Sequence, residues 1–252
     1  FNIDWVLTCA NENEWANIYR SVDLNRVKFK TVLTGYLDTA TTERTARWRK
    51  PLADREIWIS YRAWRAAYWL GSHGTQKVRV GETFKTRAEA RGLNVDISLD
   101  DSDTISGDDW FKFLGNSRAT VGVEGGASIL DRDGSFKERV DEYVAEHPLA
   151  TYDEAKSEAI PDADDDFTLT CLSPRHLEAA AAKTCQLLIE GGFNGILRPN
   201  EHYIPVKPDY SNIEEALDML ADDDLVNTMV DRAFEEIVRP GQFSYEGFVN
   251  MI

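Results

Sequence analysis

Arg175 and Glu178 stand three positions apart, just after Ser173-Pro174. On a helix that spacing places a cation and a carboxylate on one face. Ser173 is a favourable N-cap, and Pro174 suits the first helical position because its missing N–H would have no partner there. The helix start is therefore sharply defined, and its unpaired backbone N–H groups and dipole favour an anion such as phosphate, with Arg175 beside it. Arg62 and Arg65 follow the strand-like run at 56–61 (EIWISY), and Lys77 and Arg79 come after Gly71-Ser72-His73-Gly74, which reads as a flexible turn. In a parallel α/β sheet the ligand crevice lies at the carboxyl ends of the strands, where Arg62 and Arg65 could neutralise a diphosphate. Beside Trp64, Tyr68 and Trp69 they could equally cover or stack on aromatic surface, and for Arg79 that structural role is preferred. Glu124-Gly125-Gly126-Ala127-Ser128 follows a further strand-like run, RATVGV at 118–123. Its glycines would let backbone N–H groups approach a ligand, and Glu124 or Ser128 could hydrogen-bond a sugar hydroxyl; a tight turn is the alternative.

Other chemistries find little support. The four histidines, His73, His147, His176 and His202, show no ligand spacing with one another or with cysteine, and no C-x-x-C occurs, so no metal site is expected. Asp101-Ser102-Asp103 and Asp131-Arg132-Asp133 have Asp-x-Asp spacing, but in so aspartate-rich a chain they read as a turn and a loop. No G-x-S-x-G elbow or phosphate-binding P-loop is present, which removes the common hydrolase and nucleotide-hydrolase readings. Forty-four acids against 28 bases give a net charge of −16, unsuited to an unaided nucleic-acid binder. Any nucleotide must be met by a local basic pocket. Without a run of about 20 apolar residues or a signal-peptide pattern, the default is a cytoplasmic protein with no transmembrane segment. Cys9, Cys171 and Cys185 are odd in number and set in apolar surroundings, and read as small core residues in a reducing compartment.

The elements that must position these residues alternate. Strands are expected at 4–10, 29–36, 56–61, 93–98 and 118–123, with helices at 12–22, 39–51, 76–90 and from 107 onward. Residues 135–147 form an amphipathic helix stopped by Pro148, and 151–159 another, with Thr151 and Glu154 in capping-box spacing. Residues 161–166 (PDADDD) read as an exposed acidic loop. Ala179 to Ala182 lack bulk, so their helix can approach a sheet closely, and the apolar run at 185–189 (CQLLI) reads as a buried parallel strand stopped by Glu190-Gly191-Gly192. Two amphipathic helices, at 212–220 and 224–238, and a short segment from 245 close the chain. The pattern predicts an α/β fold with a Rossmann-like parallel sheet and helices on both faces. The expected division is 1–30 as a remnant of an upstream unit or linker, 31–238 as one ligand-binding domain with a helical insertion near 129–167, and 239–252 as a closing segment.

The sequence S-P-R-x-x-E-A-A-A, then a strand, then N-G-I-L-x-P-x-x-H-Y-I-P-V and the Ser211-Asn212 helix start, resembles the C-terminal half of GT-B-type glycosyltransferases, especially the bacterial group related to CgeB-type spore maturation proteins. The likeness extends more weakly back through residues 122–128 to about Thr31. It implies a nucleotide-sugar donor as substrate, no cofactor, a glycan or other hydroxyl acceptor, and work on bacterial cell-surface polysaccharide. By the same likeness Glu178 holds the ribose hydroxyls, whereas the residues alone allow a surface acid paired with Arg175. The acceptor site and the catalytic base would come from a preceding half. A non-catalytic module that kept the fold, and a GT-B-type sugar-nucleotide epimerase, are the alternatives.

Overall fold

The computed structural model describes residues 3–251. Strands and helices alternate along it as β1 (Trp5–Thr8), α1 (Trp15–Ile18), β2 (Lys28–Thr31), α2 (Thr39–Trp48), β3 (Ile57–Arg62), α3 (Ser72–Ala90), β4 (Val95–Ser98), α4 (Gly107–Gly115), β5 (Ser117–Gly122), β6 (Gly125–Ala127), α5 (Ser135–Glu146), α6 (Tyr152–Ala159), β7 (Leu169–Cys171), α7 (Pro174–Ala181), β8 (Cys185–Ile189), β9 (Ile204–Val206), α8 (Ile213–Ala221), α9 (Asp223–Ala233) and α10 (Tyr245–Met251). Contacts divide these elements into two compact units. One holds residues up to Val32, Arg65–Val78 and Gly125–Cys171; the other holds Leu33–Trp64, Arg79–Glu124 and the chain from Leu172 onward.

The larger unit is built on a five-stranded, wholly parallel sheet ordered β4-β3-β5-β8-β9. Every residue of β8 is buried, as expected of a strand covered on both faces. Successive side chains of a strand point to opposite faces, so the neighbours Leu187 and Leu188, both fully buried, belong to different apolar clusters. Leu187 packs with Val80, Phe84 and Ala88 of α3, Leu217 of α8 and Val226 of α9. Leu188 packs with Leu177, Ala180 and Ala181 of α7, and with Phe193, Tyr203 and Ile237. The Rossmann-like α/β expectation holds. Strand order reverses at β3, since β4 lies to one side and β5, β8 and β9 to the other; such a switch point opens a crevice at the carboxyl edge.

The smaller unit contains a parallel pair, β1 and β2, and an antiparallel pair, β6 and β7. Its apolar cluster joins Ile129, Val140, Ala159, Ile160 and Ala163 to Tyr68, Trp69 and Phe136. Thr151 and Glu154 form the expected capping box at α6.

Three elements differ from the sequence expectation. The helix at 12–22 starts as expected, with a 3-10 turn at Glu12–Glu14 leading into α1, but ends at Ile18, because Tyr19 leaves helical geometry and packs, with Trp15, against Phe29 at ring distances of 5.1 and 5.0 Å. The strand at 29–36 is limited to β2. Ser72-His73-Gly74 is not a turn but the first turn of α3. Gly71, at φ +84°, makes the entry, and two of the helix's orphan N–H groups find partners: Ser72 donates to Asp165 Oδ1 at 3.1 Å and His73 to Ser128 Oγ at 2.9 Å. Asp165, assigned to an exposed loop, is thereby half-buried and structural. Among the described residues no helix is long and apolar enough to cross a membrane.

Close packing of α7 against β8 carries a testable consequence. Ala181 is fully buried among Leu188, Phe193 and Ile237, so Ala181→Leu should overpack this layer and cost about 1–3 kcal/mol in urea unfolding.

Candidate functional site

At the carboxyl edge of the parallel sheet a cleft of about 460 Å³ is lined from five directions within the larger unit, one of them Arg44 of α2. β3 contributes Arg62 and the following Trp64; the loop after β4 contributes Asp100, Asp103 and Thr104; α4 brings Trp110 and Phe111; the start of α7 brings Ser173, Pro174, Arg175 and Glu178. Helices that precede a parallel strand run opposite to it, so α7 presents its N-terminus at the edge where β3 and β5 end. Gly35 leaves the room that Pro174 occupies, since a Cβ there would lie 2.7 Å from the ring. Ser173 has N-cap backbone angles but its hydroxyl makes no capping bond, and it lines the cleft instead.

Glu178 is half-buried, and its Oε2 accepts a hydrogen bond from the Trp110 indole N–H at 2.8 Å. Burial pushes its carboxyl above the ordinary 4.5, with the Trp110 hydrogen bond and the Arg175 charge acting in the opposite direction. Arg175 and Glu178 share the cleft as the spacing predicts, yet they form no salt bridge. The Arg175 guanidinium lies 5.7 Å from the centroid of the Trp110 ring and donates from Nη1 to the Arg62 carbonyl. Trp110 therefore stands between them, bonded to one by its edge and to the other by its face.

Arg62 lines the same cleft with its charge compensated. Its Nη2 pairs with Asp96 at 2.7 Å, its other donors reach the carbonyls of Tyr61, Asp96 and Asp103, and its guanidinium lies over Phe113 at 4.6 Å. Arg44, which the sequence did not single out, pairs with Asp108 at 3.4 Å. Arg79 lies over Tyr210 at 5.2 Å, the structural role preferred for it.

Glu124 belongs to the same unit but accepts backbone N–H bonds from Gly192 at 3.0 Å and Phe193 at 2.7 Å, joining the end of β5 to the loop after β8. A Cβ on Gly191 would meet Glu124 Oε2 at 2.5 Å, which explains the glycine. Arg65, Gly125, Gly126 and Ser128 lie in the smaller unit. Arg65 is exposed there. Gly125 and Gly126 form β6, and Gly126, at φ +140°, passes so close to β7 that a Cβ would fall 1.7 Å from the Leu169 oxygen. Ser128 accepts from His73 and bonds Asp165. Sequence reasoning missed Trp110 as a partner of Glu178 because 68 residues separate them and nothing local announces the contact.

Glu201, His202 and Glu236 bring ligand atoms within 4.8 Å of one another, but Arg198 supplies the cation there, bonded to both carboxylates. His202 Nδ1 accepts the Arg198 backbone N–H at 3.2 Å, and Nε2 faces Glu236. Asp100, just before the first Asp-x-Asp stretch, accepts the Ser102 N–H at 2.8 Å in a turn, and Asp131 accepts those of Gly134 and Lys137 at 3.0 and 2.9 Å, so the second stretch, read as a loop, also shapes the start of α5.

No known family description matches the sequence, and no curated protein does. By fold, the chain is similar to a sucrose-phosphate synthase from Thermosynechococcus elongatus, with a TM-score of 0.50 and 14% identity over 99% of this chain and 57% of that one. A glycosyltransferase from Rickettsia africae aligns at a TM-score of 0.49 and 11% identity over 98% of this chain and 61% of that one. A C-terminal domain of a glycosyl transferase group 1 family protein from Francisella tularensis aligns at 0.38 and 11% over 81% and 97% of the respective chains. At such identities the first likeness establishes a shared Rossmann-like fold. The chain spans 57% of the length of the synthase it matches.

The raised carboxyl of Glu178 has a pH signature. Its folded form binds a proton more tightly than its unfolded form, so ionisation costs stability as pH rises through the window above 4.5. Glu178→Gln should leave the melting temperature unchanged below that window and raise it at neutral pH, read by thermal unfolding at a series of pH values.

Proposed function

We propose that this chain is the donor-binding part of a GT-B glycosyltransferase of the CgeB-like group, and that the cleft beneath α7 holds a nucleoside diphosphate sugar. The observation that carries the reading is the half-buried carboxylate of Glu178, held by Trp110 at the start of a helix whose first turn also bears Arg175. A carboxylate in such a place could accept from vicinal ribose hydroxyls, and Oε1, which makes no hydrogen bond among the described residues, is the atom open to them. The diphosphate would lie against the α7 N-terminus, where the backbone N–H groups, the uncapped Ser173 hydroxyl and Arg175 supply donors and positive potential. Its sugar would then face the acceptor. In the transfer, the bond between the anomeric carbon and the diphosphate oxygen breaks and one to the acceptor hydroxyl oxygen forms, while a base outside this cleft takes the hydroxyl proton. The leaving diphosphate gathers charge that Arg175 and the helix start stabilise, which is how the reaction would proceed without a metal ion. The fold shared with a sucrose-phosphate synthase supports the class, and a cytoplasmic nucleotide-sugar pool would supply the donor.

Calorimetric titration tests the reading. Hydrogen bonds from hydroxyls to a carboxylate are worth roughly 1.5–3 kcal/mol each, so Glu178→Ala should weaken UDP binding by about ten-fold or more. In the parent, 2′-deoxy-UDP should bind more weakly than UDP. Equal affinities across these pairs, or no binding of any nucleoside diphosphate, would leave a non-catalytic interaction module as the better account.

A further inference from the structure

The cleft holds one aromatic side chain that touches both of its principal charged groups. Trp110 donates its indole N–H to Glu178 Oε2 at 2.8 Å and offers its ring face to the Arg175 guanidinium at 5.7 Å. Behind it, Phe113 lies 5.9 Å from the Trp110 ring and carries the Arg62 guanidinium on its own face at 4.6 Å. The Arg175 Nη1 closes the array by donating to the Arg62 carbonyl. Two rings on α4 thus support two guanidiniums, and α4 is itself anchored by the buried Phe111, Phe113 and Leu114. From this arrangement we infer that Trp110 is the positioning residue of the site, holding Glu178 and Arg175 in the relative geometry that receives the ribose and diphosphate of a nucleotide. The inference rests on the reading of the cleft as a nucleotide site.

Among the described residues the Trp110 N–H is the one hydrogen bond the Glu178 carboxylate accepts. A half-buried carboxylate lacking it would turn toward water or take up a proton, and a protonated carboxyl is a poorer acceptor for ribose hydroxyls. The charged groups facing Glu178 cannot replace the indole. Arg175 on its own helix is turned onto the Trp110 ring and the Arg62 carbonyl; Arg44 of α2 is paired with Asp108 of α4; Arg62 of β3 is paired with Asp96 of β4; Asp100 and Asp103 after β4 add negative charge. Burial already opposes ionisation of Glu178, so the neutral N–H donor and the one nearby cation keep it available. Trp110 touches no ligand atom in this scheme and acts through Glu178 and Arg175.

Trp110→Phe keeps the ring and its stacking but removes the N–H. Titrating UDP and GDP into the parent and the variant across a pH series should show parental binding strengthening as pH rises above the ordinary carboxylate range. In the variant the midpoint of that rise should move to higher pH, with affinity weakened by about ten-fold at neutral pH and recovering toward the parent in base. A loss of equal size at every pH, or an unmoved midpoint, would overturn the proposal and mark Trp110 as a packing residue only. If the parent binds neither nucleotide, the donor reading fails separately, and with it the ligand geometry assigned to Trp110. Its hold on Glu178 is then decided by thermal unfolding without ligand. The melting-temperature gap between parent and variant should widen as pH rises from 4.5, and a constant gap would rule that hold out.

Discussion

The arrangement of the cleft depends on how closely α7 sits on the sheet. Ala179 to Ala182 are at most 2% exposed, and their lack of bulk lets the helix approach β8 more closely than larger residues would allow. An interlock of polar groups fixes its register. His176, wholly inside, faces Gln186 of β8 with Nδ1 at 2.9 Å and the Val123 carbonyl with Nε2 at 3.2 Å, while the Gln186 amide donates to the His176 carbonyl at 3.2 Å. Both partners are oxygen acceptors, Gln186 Oε1 and the Val123 carbonyl, so a neutral ring can donate to only one of them at a time; burial pushes the imidazole below its usual range while these two acceptors work in the opposite direction. Gly122 of β5 makes room for the ring, since a Cβ there would lie 3.0 Å from His176 Cε1. With one face of α7 locked to two strands, Arg175 and Glu178 have only the cleft to face.

Arginines serve opposite purposes at the two edges of this sheet. At the amino edge, Arg55 bonds the carbonyls of Lys50, Ser117 and Ala182, and Arg118 bonds Leu220 and Asp223. These guanidiniums satisfy carbonyls that strand and helix ends leave unpaired, at the cost of partial desolvation; burial and the neighbouring Arg49 push Arg55 down to about 10. At the carboxyl edge Arg175 is exposed and, among the described residues, pairs with no carboxylate. Bases counted from sequence alone do not separate these cases, because what decides them is which strand end each side chain reaches.

Much of the fold was legible because its signals are local. The CQLLI run is β8, Ser173-Pro174 starts α7, and Thr151 with Glu154 caps α6, each dictated by residues within one turn or strand. Failures came where distant partners override local preference. Gly71 to Gly74 has turn composition, yet Ser128 and Asp165, far along the chain, accept the N–H groups that make its second half a helix start. The candidate site divided in the same way. Arg62, Ser173, Arg175 and Glu178 reached one cleft, because strand ends and helix starts can be placed from sequence. Glu124 follows a strand as expected, but a loop 68 residues later claims its oxygens. Trp110 carried only the marks of a helix residue, and its role depends on a contact across the sheet edge that no spacing encodes.

Net charge restricts where an anion could be held. A chain of net charge −16 repels a diphosphate over most of its surface, so one would bind only where local donors and positive groups outweigh that field. Of the three arginines lining the cleft, Arg44 and Arg62 are each compensated by an aspartate, which leaves Arg175 and the dipole of α7 as the positive groups set against Asp100, Asp103 and Glu178 in the same cleft. Pairing Arg62 with Asp96 does not waste it. Its backbone carbonyl is the acceptor that orients Arg175, so a compensated arginine shapes the cleft while an uncompensated one supplies its charge. Because that charge is exposed, attraction to an anion should weaken with added salt, whereas the half-buried contact between Trp110 and Glu178 is screened far less. In the proposed donor site, anion attraction and hydroxyl recognition would thereby be carried by different groups on one helix, and each could be altered without removing the other.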